Sequence, residues 1–483
     1  MTAEDTPDAR PGPSRPSGRR TTTRLDAPGR REDDVRRAVV LVDNPLRAYS
    51  RANRFARSLA AAGWDTTLVG TADAGLPAEE RLAPADWPIG GDDATAPTVA
   101  APGQVRDVRL LRLPASGTLA GFLHGAKRRG LIHRVPVVGG LARALGWPLA
   151  ARAWGRTLRD LPPADLYHAC GIGAGVVARD LAVRAKRRGR HGRVVYDYID
   201  VVQESELSIR YPRWRRALFP RVERRVVAAA DALTSVNDDL AADARRRWRL
   251  AQVPLVVYNA PPRNEIPGVD VPDLVRTATG IPPERGIVLF IGRFTPDRPV
   301  LEAGDAVLEL EDAAFVALGY GAQEAALRAR DREPHRAGRH FTLPAVPPEA
   351  VTRWTARADA TLVMAPADVL NTRLMTPNKL WESLAAGVPV VVGERQLAAQ
   401  RIVESADLGV RARAGDVASL VSALRRLLDA PHAERDARRE RAKRLVGERY
   451  AWDVTVPAYL RLVRTLVIGD MATSERSRST AAD

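Results

Sequence analysis

The sequence predicts an α/β protein built from two doubly wound domains that face each other across a cleft. Three observations carry that expectation. Short, nearly all-apolar runs alternate with amphipathic stretches through both halves of the chain, the pattern of parallel strands covered by helices on both faces. At 483 residues the chain exceeds what one ordinary core serves. A proline-rich segment, "APPRNEIPGVDVPD" (260–273), interrupts the rhythm near the middle and reads as an interdomain linker.

Taken in order, the strand candidates of the first half are "AVVLVDN" (38–44), "TTLVG" (66–70), "VRLLRLP" (108–114), "ADLYHA" (164–169), "RVVYDYID" (193–200), "ALTSV" (232–236) and "PLVVYN" (254–259). Helical patterns lie between them. "RANRFARSLAAAG" (51–63) stops at a glycine, and "NDDLAADARRRW" (237–248) opens on an asparagine cap. The second half restarts with "IVLFIG" (287–292), "AAFVALG" (313–319), "ATLVMAP" (360–366) and "VPVVVG" (388–393). "YAWDVTVPAYLRLVRTLV" (450–467) has helical spacing around Trp452, Tyr459, Leu460, Val463 and Leu466. The boundaries that follow are a disordered N-terminal tail (1–37), a first domain (38–262), a second domain (263–449), the helix 450–467 and a disordered polar tail (468–483). Ligands of such folds lie outside the strand C-terminal ends, so the cleft is the expected site.

Composition narrows the function. The single cysteine, Cys170, excludes an intramolecular disulfide framework and fits a reducing, cytoplasmic setting. The Pro-, Gly- and Ser-rich N-terminus has no apolar segment of the secretory type, and no run of about 18 apolar residues suits a membrane span. The net charge of +16 is uneven: residues 36–262 carry 36 basic and 21 acidic side chains, residues 263–483 carry 31 and 30. A positive first half favours an anionic partner such as acidic lipid or a phosphorylated acceptor, with nucleic acid the least expected. The basic clusters "AKRRGLIHR" (126–134) and "RYPRWRRALFPRVERRVV" (210–227) stand out. The second mixes Trp214 and Phe219 with arginines, the composition of an interfacial helix or of a surface helix buried on one side.

Four stretches could carry chemistry. "TPNKLWESLAAG" (376–387) reads as a helix with Thr376 as cap, Pro377 in its first turn and Gly387 as its stop. Lys379 and Glu382 then share one face near a helix N-terminus, where free N–H groups and an ammonium suit a diphosphate and a carboxylate suits a ribose diol. The same spacing also describes a plain surface ion pair. In "FIGRFTPDRPV" (290–300), Arg293 and Arg298 follow a buried strand, where such folds bind phosphates. "ADLYHACGIGAG" (164–175) puts His168 at a strand end before a glycine-rich turn, either as a catalyst or as a packed core residue. "YDYIDVVQESE" (196–206) sets Asp197, Asp200, Glu204 and Glu206 after another strand, as acceptor ligands, a base or helix caps. No metal-ligand spacing, P-loop or nucleophile elbow occurs.

Taken together and in order, these stretches resemble retaining glycosyltransferases of family 4, with two Rossmann-like domains in the GT-B arrangement. "VVYDYIDVVQES" resembles the family's "YDxHDxxxE" segment, "ADALTSVNDDLAADARRRW" its "ADxIxxVSxxLAxxL" segment and "VVYNAPP" its hinge strand. "LFIGRFTPDR" is similar to the phosphate loop, and "TPNKLWESLAAGVPVV" to the "PNKLFEYLAAGxPVV" box of one subgroup. The resemblance implies that Arg293 and Arg298 contact the donor diphosphate, with Asn378 and Lys379 beside it and Glu382 on the ribose. It implies that the "YAWDVTVPAYL" helix crosses back onto the first domain with Trp452 as its anchor. His168 and Asp200 become the catalytic candidates. Four positions depart from the family pattern: Leu374 where the paired-glutamate motif has an acid, Pro299 for glycine, and Cys170 and Ile199 for histidines.

The implied activity is sugar transfer from a nucleotide-diphosphate sugar with retained configuration and no essential metal or cofactor. The implied acceptor is a lipid-linked or polysaccharide one of the cell envelope, met at the inner membrane face. A nucleotide-sugar epimerase of the same fold, and a non-catalytic protein that binds anionic surfaces, are the competing readings.

Overall fold

The structure is a computed structural model that describes residues 35–46, 49–73, 75–88, 105–113, 151, 154–206, 208–365 and 368–479. The N-terminal tail to residue 34 and the basic cluster 126–134 lie outside the described residues. The described residues from Arg37 onward form one compact unit. It contains two sheets, an eight-stranded one of order β3-β4-β2-β1-β5-β6-β7-β8 and a six-stranded one of order β11-β10-β9-β12-β13-β14.

The first sheet comprises β1 (Arg37–Val42), β2 (Asp65–Thr71), β3 (Glu79–Leu82), β4 (Val108–Leu113), β5 (Leu166–Cys170), β6 (Arg193–Tyr198), β7 (Ala232–Ser235) and β8 (Leu255–Val256). All neighbours pair in parallel except β3, which runs antiparallel to β4 at the edge. The second sheet is wholly parallel: β9 (Gly286–Arg293), β10 (Ala313–Tyr320), β11 (His340–Pro344), β12 (Ala360–Val363), β13 (Val390–Gly393) and β14 (Gly409–Ala412). Strands β1, β5, β9, β10 and β12 are buried almost throughout because helices cover both faces, which is why they read as apolar runs. Three strands were absent from the sequence expectation. β3 (EERL), β11 (HFTLP) and β14 (GVRA) are short edge or near-edge strands without a continuous apolar run.

The chain changes domain abruptly. Val257 lies in the first core, while Tyr258 and Ala260 belong to an apolar cluster of the second domain. It returns at the helix Trp452–Ser479, whose Trp452, Tyr459, Leu460, Val463 and Val467 are buried in the first core. Trp452 donates from Nε1 to Ser58 Oγ at 3.0 Å and meets Phe55 edge-on at 4.8 Å. The polar tail expected from 468 is corrected here: the helix continues to Ser479, since nothing after Gly469 is a strong helix breaker. Among the described residues, no helix is long and apolar enough to cross a membrane.

Candidate functional site

The order of the second sheet places a switch point between β9 and β12, where the chain leaves in opposite directions and a crevice opens beyond the strand ends. β9 ends there at Gly292 and Arg293, and the φ of +111° at Gly292 favours glycine. Its neighbour Gly319 is also required, because a Cβ at that position would stand 1.9 Å from the Gly292 carbonyl oxygen. Beyond these strand ends lies a cavity of about 320 Å³ lined by Arg293, Arg298, Asn378, Lys379 and Glu382, with Ser50 contributed by the first domain. All five donor-site candidates thus come from two separate segments, the end of β9 with the loop after it and the helix Asn378–Ala385, to one hollow. Apolar Ile291, Leu318, Val346 and Pro348 also line it.

The helix Asn378–Ala385 begins behind Pro377, and no side chain caps it. Thr376 is not the cap that the sequence suggested. Its hydroxyl instead accepts from Asn237 Nδ2 of the first domain at 3.0 Å, leaving the helix N-terminus open toward the cavity. Gly387 does end the helix, with φ +76°. Lys379 Nζ lies 4.5 Å from the centre of the Phe290 ring, a cation–π contact. Loss of hydration lowers its pKa to about 7, and the nearby Arg298 charge adds to the shift. Glu382 rises to about 7, chiefly by desolvation; Arg54 pulls it down and Glu265 pushes it up. Asn378 clasps the hinge: its Oδ1 accepts from Asn259 Nδ2 at 2.7 Å. Arg298 donates to the Met364 carbonyl at the end of β12 (3.3 Å) and pairs with Glu206 of the first domain (3.3 Å). Arg293 is exposed at the rim.

A second hollow of about 270 Å³ lies at the switch point of the first sheet, between β1 and β5, lined by Asp43, Tyr49, Cys170, Asp200 and Phe219. Asp200 accepts from Asn371 Nδ2 of the second domain at 3.0 Å, and desolvation by the surrounding walls raises its carboxyl above the ordinary range. His168 requires a correction. It lines neither hollow and is fully buried, with Nδ1 3.0 Å from the Tyr459 hydroxyl and its ring 4.2 Å from Phe55. The returning C-terminal helix packs over it through Tyr459, and burial lowers its pKa to about 4. His168, Cys170 and Asp197 place their polar atoms within 4.8 Å of one another. Asp197, however, is held by Arg51 at 2.6 and 2.7 Å and by Thr234 at 2.7 Å, an ion pair rather than a free ligand. The Cys170 thiol is pushed well above its usual value by burial and then by Asp197.

Sequence reasoning did not single out Asn371 or Ser50, and did not place Glu206 opposite Arg298. "YDYIDVVQESE" marked the acids, but spacing along one domain does not reveal which side chain reaches across a cleft. Leu374, where an acid was expected, packs against the first-domain core, and its carbonyl accepts from Asn237 Nδ2 at 2.9 Å.

Residues 285–430 match the family described as Glycosyl transferases group 1. No curated protein matches the chain by sequence. Among solved structures, sucrose-phosphate synthase from Thermosynechococcus elongatus superposes with a TM-score of 0.63 at 16% identity, over 90% of this chain and 100% of that one. Alr3699/HepE of Anabaena, in complex with UDP and glucose, gives 0.59 at 14%, over 89% and 99%. The α,α-trehalose 6-phosphate synthase of Burkholderia multivorans gives 0.57 at 13%, over 90% and 100%. The chain therefore has the GT-B fold, two doubly wound domains facing across a cleft, and its second domain carries the match to glycosyl transferases group 1.

Proposed function

We propose that this protein is a glycosyltransferase that moves a sugar from a nucleoside-diphosphate sugar to an acceptor held by the first domain. The observation that carries the reading is the convergence of Arg293, Arg298 and Lys379 with an uncapped helix N-terminus on one cavity at the switch point of the second sheet. Those groups supply positive charge where a departing diphosphate develops negative charge. The reading accordingly assigns no metal or other cofactor to the reaction. Glu382 takes the ribose diol, and the apolar side chains take the base. The match of 285–430 to glycosyl transferases group 1 covers this half of the cleft, and the structurally similar Anabaena protein was solved with UDP and glucose.

In this reading Asp200 meets the acceptor hydroxyl in the opposite hollow, and transfer proceeds with retention of configuration. The acceptor belongs to cell-envelope glycolipid or polysaccharide synthesis, met by a cytoplasmic enzyme at the inner face of the membrane. One surface supports the membrane part. The helix Leu218–Ala229 turns Phe219 toward the acceptor hollow, while Leu218, Arg221, Arg224 and Arg225 face outward. Exposed Ile209, Arg213 and Trp214 extend the same surface. Apolar side chains among arginines suit an anionic interface.

A thermal-shift panel of UDP, GDP, dTDP and ADP, followed by the corresponding sugars, tests the donor site. One nucleotide should stabilise the protein, and R298A should abolish that shift. Stabilisation by none of the four, or an unchanged shift in R298A, would overturn the assignment. Proton NMR of the first product formed reports the anomeric configuration, and an inverted product would remove the retention claim.

A further inference from the structure

Glu206 belongs to the first domain, yet its carboxylate reaches the phosphate loop of the second. Its Oε2 lies 3.3 Å from Arg298 Nη2, and its Oε1 accepts from Thr372 Oγ1 at 3.3 Å. Both members of the ion pair are largely shielded, with side-chain exposures of 14% for Glu206 and 24% for Arg298. Glu206 also acts electrostatically on Lys379, which lies in the same cavity as Arg298. A carboxylate from the opposite domain therefore offsets the charge of one donor-cavity cation, Arg298. A further anion joining Arg298 meets like-charge repulsion from Glu206 at 3.3 Å and from Asp297, which stands 4.0 Å from the guanidinium.

We propose that Glu206 is an internal counter-anion of the donor site, which competes with the nucleotide's diphosphate for Arg298 and hastens departure of the nucleoside diphosphate after transfer. This inference rests on the reading that Arg298 meets the diphosphate. The diphosphate prevails on entry because it carries more charge and also engages Arg293, Lys379 and the helix N-terminus. On transfer the sugar–oxygen bond to the diphosphate breaks and the nucleotide keeps the electron pair. Its diphosphate thus gains negative charge as it loses the contacts of its sugar. Glu206, by competing for the guanidinium, offsets that gain and speeds release. Glu206 touches no reacting atom. It acts through Arg298 and is a positioning residue.

The test compares wild type, E206Q, E206D and R298A. The probe is whichever of UDP, GDP, dTDP and ADP binds wild type most tightly, with affinity read by calorimetry and release by stopped-flow displacement. E206Q should bind that nucleotide three- to thirtyfold more tightly and release it correspondingly more slowly. In turnover its donor KM and its kcat should fall together, and E206D should restore wild-type behaviour. A residue that merely tied the domains together would give the opposite sign, weaker binding without slower release. If R298A loses the nucleotide while E206Q binds no more tightly than wild type, the inference fails and the donor site stands. If R298A binds like wild type, the donor-site reading fails and this inference with it. Melting temperatures of the variants show whether each is folded.

Discussion

Lys379 and Glu382 stand one helical turn apart on the same wall of the cleft, and burial moves both toward neutrality near pH 7, the ammonium from above and the carboxyl from below. An empty site thus holds two groups that a bound nucleotide would recharge. A diphosphate favours protonated Lys379, so binding takes up a proton above pH 7. A ribose diol favours ionised Glu382, so binding releases one below pH 7. Affinity for the nucleoside diphosphate should peak near pH 7 and fall on both sides. Calorimetry between pH 5.5 and 8.5 checks this; K379R should flatten the alkaline limb and E382Q the acid limb.

The same two shifts set a stability profile. Between the usual carboxyl value and pH 7 the folded state binds more protons than the unfolded one through Glu382, so stability falls as pH rises. Between pH 7 and the usual lysine value the unfolded state binds more through Lys379, so stability rises again. Comparing denaturant midpoints of wild type with those of the double variant K379M/E382L should expose this local minimum near neutrality, absent from the variant.

His168 is expected to matter for folding and not for turnover. Its pKa is about 4 in the fold, against about 6.5 in an unfolded chain, so its contribution is complete above pH 6.5 and lost as pH falls toward 4. That difference corresponds to roughly 3 kcal/mol. H168Q should lower the melting temperature, flatten the acid dependence over that window, and leave nucleotide affinity unchanged. A hundredfold loss of kcat in a folded H168Q protein would return the residue to the active site.

Asp200 is expected to behave the other way. It stands at the acceptor hollow with a hydrogen bond from Asn371 that an asparagine could also accept. D200N should therefore fold normally and bind the nucleotide as wild type does. Its kcat should fall by about 10²–10⁴, the range for loss of a general acid–base group. Steady-state kinetics together with a melting curve separate this outcome from simple destabilisation.

Arg51 and Asp197 form a bidentate pair inside the first core, at 3% and 0% side-chain exposure. Removing one partner strands the other charge, so R51M or D197L should cost about 3–5 kcal/mol of stability. The double variant should cost less than the sum of the two. Urea denaturation of all three completes the cycle.

The alternation of apolar runs and amphipathic stretches by itself determined the two doubly wound domains, because a strand buried on both faces must be apolar along its length. It also determined the helices whose stops are written in backbone chemistry, such as Gly63 after the helix Ser50–Ala61 and Gly387 after Asn378–Ala385, both at positive φ. Arg293, Arg298, Lys379 and Glu382 were legible as candidates because each follows a strand end or opens a helix. Which of the marked residues meet was decided only by the tertiary structure. His168 and Asp200 looked alike on paper, yet the returning helix buries one and the cleft exposes the other. Thr376 had the chemistry of a cap, but a donor from the other domain claimed its oxygen. Glu206 finds Arg298 92 residues further along the chain. Local periodicity specifies a residue's own element and face; partners across a cleft depend on how two domains pack, and no local pattern encodes that distance.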